Sequence, residues 1–119
     1  MPTSCANPLY TVDELVYQIN TVKAAVIITH PDSLKVALSS AHAAGVSADH
    51  IILFDDDGAE TARRMTVQAL VSQGLANPPN FTERKLAPGE GKTKVAFLNF
   101  SSGTTGHPKV SAHLARTCV

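Results

Sequence analysis

The sequence has no excess of charge of either sign: ten Lys and Arg balance ten Asp and Glu over 119 residues. That excludes the clustered positive surface with which proteins grip nucleic acid or an anionic membrane. Long apolar runs are missing too, since none approaches the roughly 18 to 20 residues that span a bilayer. The opening MPTSCANPLY lacks the basic flank and apolar centre of a secretory signal. No membrane span and a cytoplasmic location are therefore expected. Cysteine is scarce, with Cys5 and Cys118 at opposite ends and no CxxC or Cys/His spacing. A free, reduced pair is expected in place of a disulfide or a zinc site. His30, His42, His50, His107 and His113 show no i, i+4 pairing, and the consecutive Asp55, Asp56 and Asp57 read as the polar end of a strand. No metal site is assigned to either set. Internal repeats and low-complexity tracts are absent as well.

What the chain does have is apolar content: 44% of its residues are hydrophobic and only 17% charged, a composition that forms a core and does not stay disordered. At this length it makes one domain at most, burying roughly two-thirds of the surface its unfolded chain would expose. A protein near zero net charge also associates readily wherever apolar surface is left open.

The order of elements follows from periodicity and punctuation. Val12, Leu15, Val16 and Ile19 recur at helical spacing, so a helix is predicted over 12–22, with Thr11 as N-cap and Glu14 as its capping-box partner. AAVIIT then reads as a buried strand over 24–29. A second helix over 32–44 follows, stopped by Gly45, and HIILF supplies a strand over 51–54. This β-α-β alternation implies parallel strands joined by a crossover. A third helix is expected over 62–74, broken by Gly74, Pro78 and Pro79, then irregular chain to Gly91 and a last strand in TKVAFLNF. The fold class is α/β: a partial layered parallel sheet with flanking helices.

The last strand runs into NFSSGTTGHPKV, residues 99 to 110. Gly103 and Gly106 permit backbone conformations in which amide N–H groups converge on an anion. Ser101, Ser102, Thr104 and Thr105 add hydroxyls, and Lys109 adds a positive charge suited to phosphate. Its position beyond the end of a strand is where ligands bind in α/β sheets. Composition alone leaves a polar surface turn equally open. A rival phosphate motif, GEGKT at 89 to 93, fails as a Walker loop: the glycine it needs falls on Leu86, and GKT leads into a strand where a helix is required.

SSGTTGHPK resembles the phosphate-binding signature SSGTTGxPK of the AMP-forming adenylating superfamily, which includes acyl-CoA ligases, 4-coumarate-CoA ligases and firefly-type luciferases. Upstream, NPLYTVDELVYQ resembles that family's NP-x-YT-x-x-EL-x-x-Q segment, and APGEGKTKVAFLNF resembles its lead-in to the loop. The resemblance implies an enzyme that activates a carboxylic acid with ATP and Mg to an acyl-adenylate and passes the acyl group to CoA. By residue match Ser101, Ser102, Gly103, Thr104, Thr105, Gly106 and Lys109 would bind the ATP phosphates, with no catalytic residue and no metal ligand assigned. Tyr10 and Glu14 are read as packing and capping groups. The family's other working parts lie outside the matched segments, so residues 1–119 are expected to form a partial AMP-binding domain truncated at both ends, inactive by itself. The family includes peroxisomal members, but the chain does not end in a peroxisomal signal. The family also continues PK-G-V-x-x-[ST]-H after the loop. PKVSAH here reaches His113 about two residues early, which predicts a shortened strand and a loop deprived of one anchor. An alternative is a non-catalytic fragment that docks on a full-length homologue or competes with its dimer, or a decayed gene product without independent function.

Overall fold

The structure, a computed structural model, describes residues 2–55, 64–77, 80, 82, 85–101 and 108–115. They divide into two compact units, Pro8–Phe81 and a second made of Met1–Asn7 with Thr82–Val119. Each is described by itself.

The first unit opens with α1, Val12–Val22. Its start is the predicted capping box: the Thr11 hydroxyl accepts from the Glu14 amide, and the Glu14 carboxylate accepts from the Thr11 amide at 2.8 Å. These bonds satisfy two of the donors that a helix N-terminus leaves over. The helix ends on Lys23 in the left-handed region, φ 53°, so that the Ala24 amide can turn back to the Ile19 carbonyl at 3.0 Å.

Strand β2, Ile27–Thr29, is shorter than the apolar run that predicts it. A 3-10 turn, Pro31–Ser33, leads into α2, Leu34–Ala43, and a second such turn, Ala48–His50, leads into β3, Ile51–Leu53. The strands pair in parallel, Ile27 with Ile51 and Thr29 with Leu53, as the β-α-β reading requires. Helix α2 ends as its glycine predicts. Gly45 adopts φ 73°, the Gly45 amide bonds the His42 carbonyl at 3.2 Å, and the Val46 amide reaches the Ala41 carbonyl at 2.8 Å. Together these form a Schellman motif, which turns the chain toward β3.

The core is where α2 crosses the strands: Leu34, Ala41, Ile51 and Leu53 are buried together, with Ile27, Leu38 and Val46 packed around them. Helix α1 lies against α2, and small residues at Ala37, Ser40 and Ala41 let the two approach closely. Ser40, fully buried, donates its hydroxyl to the Val12 carbonyl at 3.3 Å.

Beyond β3 the Leu53 amide donates to the Met65 carbonyl at 3.0 Å, and α3 follows over Val67–Ala76. This helix differs from the expected 62–74. Thr66 takes its start, accepting from the Ala69 amide at 3.1 Å, and Gly74 lies within the helix without breaking it. The end falls at Asn77, whose side chain donates to the Gln73 carbonyl at 2.7 Å. Pro78 and Pro79 lie outside the described residues.

In the second unit, β4, Val95–Ser101, is the predicted last strand. It is flanked by β1, Thr3–Ser4, in parallel and by β5, Lys109–Leu114, antiparallel, giving the order β1-β4-β5. Ser4 fastens β1 by donating its hydroxyl to the Leu98 carbonyl at 2.7 Å. Neither β1 nor the antiparallel pairing is anticipated by the sequence. The GEGKT stretch forms a three-residue 3-10 turn, Glu90–Lys92, and then enters the strand.

Two tests follow from these ends and turns. Gly45→Ala should cost about 1–2 kcal/mol, because a Cβ there meets no neighbour but the positive φ is strained for any L residue. Gly74→Ala, equally unobstructed but helical, should instead stabilise by about 0.5–1 kcal/mol. Chemical denaturation of the two variants should move in opposite directions. The Thr11 amide, then its hydroxyl, hold the Glu14 carboxyl below the usual carboxylate range. A lowered folded value means the capping contribution is full above the unfolded carboxylate range and is lost as pH falls through the lowered value. The melting temperature of Glu14→Gln should therefore differ from that of the parent at neutral pH and converge on it in acid.

Candidate phosphate-binding site

The candidate loop leaves from β4 and returns into β5. Ser101 is the last residue of β4, Lys109 the first of β5, and the two stand directly opposite in the antiparallel ladder. The Ser101 hydroxyl closes this rung by donating to the Lys109 carbonyl at 3.3 Å. Opposed residues in such a ladder sit about 4.5–5.5 Å apart at Cα, so this rung holds the two ends of the segment between Ser101 and Lys109 together. Ser102, Gly103, Thr104, Thr105 and Gly106, with His107, lie outside the described residues. The structure therefore brings together Ser101 and Lys109, the two ends of the predicted set.

The expected loss of the downstream anchor is corrected. Strand β5 pairs with β4 from Ser101↔Lys109 through Val95↔Leu114, with a bulge between Val95 and Phe97. The six residues that remain suffice for a ladder, because each supplies backbone N–H and C=O groups to β4 whatever its side chain.

Burial alternates along β4: Leu98 and Phe100 are half-buried, whereas Phe97, Asn99 and Ser101 are exposed, and along β5 Lys109 through His113 are all exposed. Period-two alternation thus puts Ser101 among the exposed residues of β4, and Lys109 opposite it is exposed as well. There a hydroxyl can donate to an anion's oxygens and an ammonium can lie beside its charge.

Among the described residues no three His, Cys, Asp or Glu side chains come together as a metal-binding group. Asp55 is the last described residue after β3, and Asp56 and Asp57 lie outside them. Glu14 is occupied by the capping box, as expected of a structural group. No helix among the described residues is long and apolar enough to cross a membrane.

The sequence matches the AMP-binding enzyme family over residues 1–119. It is 34% identical over 110 residues to phenylacetyl-CoA ligase epaB of Aspergillus niger, an alignment covering 87% of this chain and 19% of that protein. Its fold is similar to that of the luciferase-like enzyme from the mealworm Zophobas morio, with TM-score 0.66 and 25% identity over 94% of this chain and 24% of the other. The anthranilate CoA ligase AuaEII, in complex with anthranoyl-AMP, superimposes with TM-score 0.74 at 23% identity, covering 97% of this chain and 20% of the ligase. The chain belongs to the AMP-binding enzyme family, and its α/β fold is that of the family's luciferase-like and CoA-ligase members. It spans about a fifth to a quarter of the length of these relatives.

Proposed function

We propose that this chain is the phosphate-gripping part of an AMP-forming acid–thiol ligase, residues 1–119 being a portion of its AMP-binding domain. In the whole enzyme a carboxylate oxygen attacks the α-phosphorus of ATP, the bond to the β-phosphate oxygen breaks, and pyrophosphate leaves. The CoA sulfur then attacks the acyl carbonyl, losing its proton, and AMP departs with the former carboxylate oxygen. ATP, a carboxylic acid and CoA are the substrates, with magnesium arriving as part of the ATP complex. The part taken by Ser101, Ser102, Gly103, Thr104, Thr105, Gly106 and Lys109 is to hold the β- and γ-phosphates while charge builds on the leaving pyrophosphate. The observation that carries this reading is the rung that pairs Ser101 with Lys109. The segment between them begins and ends there, at two exposed residues.

Lys109→Ala should weaken pyrophosphate binding by the purified chain about tenfold, the worth of one charge-assisted contact. Neither protein should catalyse ATP–pyrophosphate exchange in the presence of a carboxylic acid. Equal binding by the two, or exchange by the parent above the variant, would overturn the corresponding half of the proposal.

A second reading, a fragment that docks on a full-length homologue, is favoured by one observation. Parallel strands are ordinarily covered on both faces, yet Ile28 and Phe54, on the side of the β2–β3 pair away from the Leu53 core, are 50% and 54% exposed. Co-expression with epaB should then yield a complex that Ile28→Asp abolishes, whereas a monodisperse monomer under those conditions would remove this reading.

A further inference from the structure

We propose that His30, at the exit of β2, is a proton-operated cap: neutral, it holds the turn into α2 by the Asp32 amide, and protonated, it exchanges that amide for the Asp32 carboxylate. His30 Nδ1 lies 3.3 Å from the Asp32 amide nitrogen, in line to accept its hydrogen. The same Nδ1 lies 3.2 Å from Asp32 Oδ2.

These two contacts make opposite demands. To accept the amide hydrogen, Nδ1 needs its lone pair, so the ring's one proton must sit on Nε2. To attract the carboxylate, Nδ1 must carry a proton and donate it. A ring nitrogen has either the lone pair or the proton, so the two bonds belong to two protonation states of one geometry. When a solvent proton binds Nδ1, the amide loses its acceptor and faces an N–H instead. The ion pair forms as the cap is released.

The surroundings leave this exchange uncompensated. Pro31 has no amide to offer, and the turn keeps the Ser33 amide and the Thr29 hydroxyl on the His30 carbonyl, at 3.0 and 3.4 Å, and the Leu34 amide on the Pro31 carbonyl, none of which replaces the acceptor lost by the Asp32 amide. Asp32 is the charged group facing the ring; among the described residues β3 and α2 supply it with no ion-pair partner. Both side chains are open to water, 55% and 82% exposed, so protons reach Nδ1 freely and the ion pair stays weak. Neither state is locked. The second 3-10 turn shows the fixed version of the device: Ser47 caps it by accepting the Asp49 amide at 3.3 Å with a hydroxyl that does not titrate in this range.

Nitrogen-15 NMR of the full chain between pH 5 and 8 tests the proposal. The neutral imidazole of His30 should be the Nε2–H tautomer. Hydrogen-exchange protection of the Asp32 amide, corrected for the intrinsic rate, should fall roughly two- to tenfold as the ring protonates, the worth of one hydrogen bond. In His30→Ser, which installs the non-titrating cap, that protection should not change with pH. An Nδ1–H tautomer in the neutral ring would overturn the proposal. So would protection that stays constant while the ring titrates, or that changes equally in the serine variant.

Discussion

Two strands of three residues cannot hold one another in water, and in parallel they cannot even be joined without a crossing segment. The pairing of β2 with β3 therefore depends on α2 lying across it, with Leu34 and Ala41 on Ile51 and Leu53. Burial of those side chains is the favourable term that a three-rung ladder lacks. The rest of the first unit is arranged to let α2 reach this position. Pro31–Ser33 bends the chain off β2, Gly45 turns it back toward β3, and the small residues at 37, 40 and 41 make room for α1 behind.

The second unit is built on a different economy. Every buried residue among those described belongs to the first unit, so the β1-β4-β5 sheet relies on its backbone ladder and on one half-buried face. That suits a strand pair whose ends present a loop. A ladder fixes where the segment between Ser101 and Lys109 starts and stops, and it leaves both of these residues exposed.

Local chemistry was legible in the sequence and distant pairing was not. The capping box at Thr11 and Glu14, the Gly45 stop and the β-α-β unit all follow from neighbours within a few residues or from one hydrophobic period, and each is found where the sequence puts it. Helix α3 starts and ends later than periodicity and Gly74 predict, because the Thr66 hydroxyl caps its first turn and the apolar run carries it through the glycine. Strand β1 gives almost no signal, being two residues that gain a partner more than ninety positions away. For the candidate site the residue types were readable, Lys109 and the hydroxyls above all. The rung that joins Lys109 to Ser101 was not, because register is set by the whole ladder and no single residue announces it.

The abbreviated stretch between the loop and His113 acquires a different meaning from that ladder. A β-strand repeats every two residues, so removing an even number of residues leaves the parity of every later side chain intact. Here His113 stands opposite Phe97, both exposed, and Leu114 is half-buried. The loss of a single residue would have turned the strand over, carrying a histidine against Leu98 and Phe100 and leaving a leucine in water. Such a strand can be shortened in pairs without exchanging its wet side for its dry one.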